Sequence, residues 1–191
     1  MGKTARIRPS DYKQINCRIE SLQIVIYGLE NSILELRKKL DNYAWYDGLW
    51  LLEESEPFYG LALIAFQNYI NSSIYDWDNS LENQYKAYKI CTKINDNGRT
   101  DIELICSLAN YFKHRDNPKD LKEATSKILI DFNLQHDKQI DITDSPIFKG
   151  LEIFSQSWDL KEILKVIVIW REKLWSANDE STSGQKIGIE N

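Results

Sequence analysis

Apolar residues recur along this chain at helical spacing almost from end to end. Between Ser10 and Leu40, the residues Ile15, Ile19, Leu22, Ile26, Leu29, Ile33, Leu36 and Leu40 alternate steps of four and three, the spacing of a coiled-coil seam. The pattern predicts one long helix, either the spine of an antiparallel bundle or half of a dimer seam; bundles use the same packing geometry and are the favoured reading. Asp41 can cap a second, shorter helix carrying Trp45, Leu49 and Leu52. Glu56-Pro57 then opens a third, with proline at its tolerated first position. Its apolar residues run through Phe58, Leu61, Ala62, Ala65, Phe66, Tyr69 and Ile70, and Gly60 with the two alanines permits close approach by a neighbour. The segment 75–80 (YDWDNS) reads as a polar turn. Asn79 with Glu82 marks the next helix start, continued by Leu81, Tyr85, Tyr88 and Cys91 and ended by Asn97-Gly98, glycine supplying the left-handed cap.

The clearest helix follows. Thr100 and Glu103 form a capping box, and Asn117-Pro118 stops the helix, because proline pushes the preceding residue out of the α region. Ile102, Leu104, Ile105, Leu108, Ala109 and Phe112 fall on one side; Glu103, Cys106, Ser107, Asn110, Lys113, His114 and Asn117 fall on the other. Beyond it, Leu121, Ala124, Thr125 and Ile128 suggest a further helix, and 133–149 reads as a surface loop. Ser145-Pro146 starts a short helix through Ile147, Leu151 and Phe154. Asp159 with Glu162 forms another capping box, opening a last helix through Ile163, Ile167, Trp170 and Leu174. VIVIW (166–170) would suit a buried strand by itself, but its flanks keep helical spacing. The fold class is therefore all-α: an antiparallel bundle of about six to eight helices with a long N-terminal helix. The bundle is expected over 10–175, between a basic N-terminal arm (1–9) and a flexible C-terminal tail (176–191).

Composition agrees with one such domain. The chain has 191 residues, 42% hydrophobic and 28% charged, ordinary for a globular protein. No apolar run reaches the roughly 20 residues that span a bilayer, and the start lacks the apolar core of a secretory signal. Three cysteines (Cys17, Cys91, Cys106) show no metal-ligand spacing, which fits a reducing cytoplasm. A net charge of −5 argues against nonspecific binding along a nucleic-acid backbone, which needs many cationic contacts. It leaves room for a small catalytic site acting on RNA.

The most chemically capable cluster is Asn110, Lys113, His114 and Arg115, at the end of the Thr100–Pro118 helix. Asn110 and His114 lie one turn apart on one face with Lys113 beside them, while Arg115 points elsewhere on an ideal wheel. A histidine can move a proton during phosphodiester cleavage, a lysine or arginine can stabilise charge on the phosphate, and an asparagine can orient the imidazole. The same basic residues would also complement the helix macrodipole without any function. Other groups carry simpler readings. Asp76 and Asp78 belong to an acidic turn, Glu53, Glu54 and Glu56 to a solvated helix end, and Cys106 to a packed thiol. His136-Asp137 falls in a loop, and two histidines do not make a zinc site. With no phosphate-binding glycine loop, nucleophile elbow or zinc-finger spacing, the expected cofactors and metals are none.

Ala109-Asn110-Tyr111-Phe112-Lys113-His114 resembles the motif of the HEPN domains, all-helical bundles of bacterial toxins and defence nucleases. That motif is an arginine, a polar residue often asparagine, three variable residues and a histidine, near the end of one bundle helix. Asn110 and His114 match its second and last positions, whereas Ala109 stands where the family has its catalytic arginine. Either Lys113 or Arg115 takes over the charge, or the site is degenerate. The resemblance implies a metal-independent RNase of a toxin or defence system, a homodimer whose two motifs face each other across a cleft, and RNA as substrate. The alternative is a non-catalytic helical module that binds a cognate protein or itself.

Overall fold

The computed structural model describes residues 15–91, 93–134 and 141–183, with only the backbone at 118 and 177–183. The arm at 1–9 and His136-Asp137 lie outside them. The described residues form seven helices and no strand: α1 (Ile19–Asn42), α2 (Gly48–Asp78), α3 (Gln84–Tyr88), α4 (Asp101–His114), α5 (Glu123–Asp131), α6 (Pro146–Phe154) and α7 (Leu160–Ser183). The chain is all-α, with a long first helix. None of these helices is long and apolar enough to cross a membrane.

α1 uses the predicted seam. Leu22, Ile26 and Ile33 are buried and Ile19 and Leu29 pack against the core, while Ile15 and Leu40 at the two ends remain exposed. The seam lies against α2 and α7, so it serves the bundle. The next two expected helices are one. Asp47, not Asp41, caps α2, its carboxylate accepting from the Leu49 and Trp50 amides at 3.0 and 3.1 Å, and the helix runs through Pro57. Proline inside a helix costs about 3 kcal/mol. Here the residues around it are held by tertiary contacts. Glu56 is buried and bonded to Arg115 and Ser145, and Tyr59, Ala62, Leu63 and Phe66 all enter the core. Propensity gives way to packing.

The 75–80 stretch is likewise helical up to Asp78. Asn79, at φ 55°, is the left-handed C-cap of α2 rather than the start of a new helix. α3 is correspondingly short, and its helix ends at Tyr88 instead of at Asn97-Gly98. Gly98 does adopt a positive φ of 73°, but in a turn closed by Gly98 N–H to the Asn95 carbonyl at 3.0 Å.

Local signals elsewhere fare better. Thr100 accepts from the Glu103 amide at 3.2 Å and Glu103 accepts from the Thr100 amide at 3.0 Å, so the capping box on α4 is complete. Ser145 caps α6 through the Ile147 amide. At α7 the box is half made: Asp159 accepts from the Lys161 amide, but the Glu162 carboxylate pairs with Lys165. α7 also continues to Ser183, into the stretch expected to be tail.

α4 occupies the middle of the bundle, in contact with α2, α3, α5, α6 and α7. Every residue from 101 to 109 is buried. Trp170 of α7 is fully buried beside it and donates its indole N–H to the Ala87 carbonyl at 2.9 Å. The small residue expected to allow close helix approach does so: a methyl group on Gly60 would fall 2.3 Å from the Phe112 ring. That ring is itself held under the Arg115 guanidinium, 4.7 Å from its centroid. Gly60→Ala should therefore destabilise the fold by about 1–3 kcal/mol through overpacking, despite the better helix propensity of alanine. Equilibrium denaturation in urea would measure it, and an unchanged midpoint would show that Phe112 yields freely.

Candidate functional site

The polar side of α4 faces a cavity rather than open solvent. The cavity holds about 290 Å³ and is walled by α2 (Gln67, Asn71), α3 (Gln84, Tyr85, Tyr88), α4 (from Glu103 to His114) and the start of α5 (Lys122, Thr125, Ile128). Three of the four expected site residues, Asn110, Lys113 and His114, line it together. Arg115 does not. Its guanidinium pairs with Glu56 of α2, whose other carboxylate oxygen accepts from the Ser145 hydroxyl. This buried carboxylate ties α2, α4 and the cap of α6 together, so Glu56 is no solvated helix end.

Gln67 organises the site. Its amide N–H₂ donates to Asn110 Oδ1 at 3.0 Å and to the Cys106 carbonyl at 3.2 Å, and its oxygen accepts from Lys113 Nζ at 2.7 Å. Asn110 thus bonds Gln67, and Thr125 at 3.5 Å, rather than orienting the imidazole. The His114 ring is half-buried and makes no hydrogen bond to another described residue. Tyr88 donates to Asn71 Oδ1 at 2.7 Å, and burial pushes its phenol well above the usual range, so it stays a donor.

Hydrogen-bond direction sets the chemistry of the cavity. The acceptor ends of Gln67, Asn71 and Asn110 are consumed within the protein. The cavity groups without a hydrogen-bond partner among the described residues include the Asn71 and Gln84 amide N–H₂ groups, the Tyr85 and Ser107 hydroxyls, the His114 ring and the Lys122 ammonium, and Lys113 keeps two further N–H donors. The single carboxylate in the wall, Glu103, is already shared between Arg99 at 2.9 Å and the Thr100 cap. A cavity of donors with two lysines and a neutralised acid fits an anion. Burial lowers the Lys113 ammonium below the ordinary lysine range, with Cys106 opposing and Lys122 adding to the shift. The Cys106 thiol, enclosed beneath it, is pushed up to about 12, chiefly by burial. It is therefore no nucleophile near neutral pH.

Sequence reasoning reached the α4 residues because they share one helix face. Gln67, Asn71, Gln84, Tyr88, Lys122 and Thr125 come from other elements and were missed. Gln67 alone left a signal, a glutamine within the apolar stripe between Phe66 and Ile70. The other acidic candidates are occupied structurally: Asp76 pairs with Arg18, and Asp78 accepts from Asn83. Among the described residues no three His, Cys, Asp or Glu side chains gather to hold a metal.

Compared with protein-family models, curated proteins and solved structures, the chain matches none. Function must therefore be argued from this cavity.

Two measurements test its construction. Arg115→Ala leaves the Glu56 carboxylate buried without its cation and should cost about 1–3 kcal/mol, less than a fully buried pair because the Arg115 side chain is 30% exposed. A chemical denaturation midpoint equal to wild type would show that the pair contributes nothing. In NMR titration of the lysine ammonium groups, Lys113 should lose its proton below the others. Added inorganic phosphate should move it upward, since a neighbouring anion favours the charged form. A Lys113 signal indifferent to phosphate would show that the cavity takes no anion.

Proposed function

We propose that this chain is a HEPN-like, metal-independent endoribonuclease acting on single-stranded RNA at the α4 cavity. The observation that carries the reading is the meeting of Asn110, Lys113 and His114 in one donor-lined cavity of about 290 Å³. A space of this size suits one nucleotide rather than an intact duplex. His114, whose ring has no hydrogen-bond partner among the described residues, takes the proton of a ribose 2′-hydroxyl. That oxygen attacks the adjacent phosphorus, the bond to the 5′ oxygen breaks, and the imidazolium returns the proton to the departing oxygen. Lys113, assisted by Lys122, stabilises the charge gathering on the phosphoryl oxygens. Asn110 positions Lys113 through Gln67. Arg115 serves the fold by holding Glu56. The products are a 2′,3′-cyclic phosphate and a free 5′-hydroxyl. The proposed setting is a toxin or defence system in a reducing cytoplasm, in keeping with three free cysteines.

A second reading is favoured by Ala109. It stands at the motif's arginine position and is fully buried in the core, so no cation at that position could reach the cavity without repacking. On this reading the cavity binds an anionic ligand without chemistry, and the protein is a helical interaction module.

Incubating the purified chain with labelled single-stranded RNA in a chelator separates the two. Cleavage should fall by about 10²–10⁴ in His114→Ala and clearly in Lys113→Ala, with thermal unfolding unchanged. Undiminished cleavage in His114→Ala would remove the assignment. Phosphate or RNA binding without cleavage by the wild type would leave the second reading.

A further inference from the structure

The α4 cavity has a second end, away from Lys113 and His114, that the cleavage chemistry leaves unused. It is made by Asn71 of α2 with Gln84, Tyr85 and Tyr88 of α3. Tyr88 sets its polarity. The phenol is buried and stays protonated, and its hydroxyl reaches Asn71 Oδ1 at 2.7 Å and Gln84 Oε1 at 3.2 Å. Both amide oxygens are thereby turned to Tyr88, and both N–H₂ groups are left in the cavity wall without a partner among the described residues. Beside them Tyr85 stands edge-on to Tyr88, ring centroids 5.9 Å apart at 80°. That contact holds the Tyr85 ring while 48% of the residue stays exposed, which leaves aromatic surface for a planar group to stack on. This end therefore offers two amide donors and a ring, and the carboxylate in the wall, Glu103, is spent on Arg99 and Thr100.

We propose that this end is a base pocket selecting guanosine, so that RNA is cut on the 3′ side of a guanosine held by Asn71, Gln84 and Tyr85. The inference rests on the RNA reading of the same cavity and adds the base that it takes. Guanine presents two adjacent acceptors, O6 and N7, on one edge, where adenine sets an amino donor beside N7. Two N–H₂ groups match the first edge and oppose the donor of the second. Uracil separates its two carbonyls by an N–H. Cytosine has adjacent acceptors in O2 and N3, but with an amino donor on the same edge and a smaller ring to stack. Joining an aromatic platform to hydrogen bonds on one base edge is how single-stranded RNA is read. The dimensions agree. Gly60 of α2 meets Phe112 of α4, and Gln67 bonds Cys106 and Asn110, so the two helices run antiparallel past each other. Gln67 holds Lys113 Nζ, and Asn71 follows one turn later, about 6 Å along the helix. One nucleotide spans that step, its 3′ phosphate at Lys113 and its base edge at Asn71 and Gln84.

The test is calorimetric titration of the full chain with the four nucleoside 3′-monophosphates and with inorganic phosphate. Guanosine 3′-monophosphate should bind at least about tenfold tighter than the other three. The inosine nucleotide, which keeps O6 and N7 and lacks only the 2-amino group, should equal it. The 7-deazaguanosine nucleotide, which lacks the N7 acceptor, should bind several-fold more weakly. Asn71→Asp keeps an acceptor for Tyr88 and removes the donor, so the guanosine-to-adenosine affinity ratio should fall about tenfold with an unaltered melting curve. The ratio is the readout because the new carboxylate repels every phosphate alike. Equal affinity for the four nucleotides, cytidine as tight as guanosine, or inosine weaker than guanosine would each overturn the proposal. Cleavage of mixed-sequence RNA with no preference for guanosine would overturn it and leave the nuclease standing. Guanosine preference without cleavage would keep the base pocket and remove the nuclease. A chain that binds neither nucleotide nor phosphate would lose both.

Discussion

The structure depends on one constraint: α4 is enclosed on every side over its first nine residues, and its sequence is half polar. Water cannot serve polar groups in that position, so each must find a partner in the protein or face a cavity. The upper half of the helix takes the first course, save for Asp101, one carboxylate oxygen of which is buried without a partner among the described residues. Thr100 and Glu103 cap each other, Thr100 also donates to the Tyr88 carbonyl at 2.8 Å, and Glu103 receives Arg99, which reaches on to Asp131 of α5 at 2.7 Å. The lower half takes the second, and the cavity is the result. An all-apolar α4 would close the bundle. The polar face lines that cavity and leaves donors unspent there, beside Lys113 and His114.

What the sequence made legible follows from how local each cause is. Capping at Thr100 and Ser145, the seam of α1 and the helical nature of VIVIW are decided within a few turns, and those readings match the coordinates. The reading failed where a distant residue decides. Pro57 looks like a helix start because nothing nearby shows that Glu56 is gripped by Arg115, 59 positions later, and by Ser145, 89 positions later. Asn79 looked like a beginning and is an ending, since an asparagine is equally at home as an N-cap and in a left-handed C-cap. The site divides the same way. Asn110, Lys113 and His114 share one helix face and could be read together, while the direction of the Asn110 amide depends on Gln67 from α2.

Charge on two scales gives the cavity its character. The whole chain carries −5, which repels a polyanion at long range. Within the cavity Lys113 and Lys122 meet one acid already neutralised by Arg99. A strand of RNA would therefore be held at few phosphates, and its affinity would vary only gently with salt, unlike a protein that tracks the backbone with a basic stripe. On the proposed reading, selectivity would come from fitting one nucleotide among fixed amide donors. The lowered affinity of Lys113 for its proton belongs to the same arrangement. A buried ammonium bonded to a neutral amide is short of negative charge, and a phosphate is the group that relieves it.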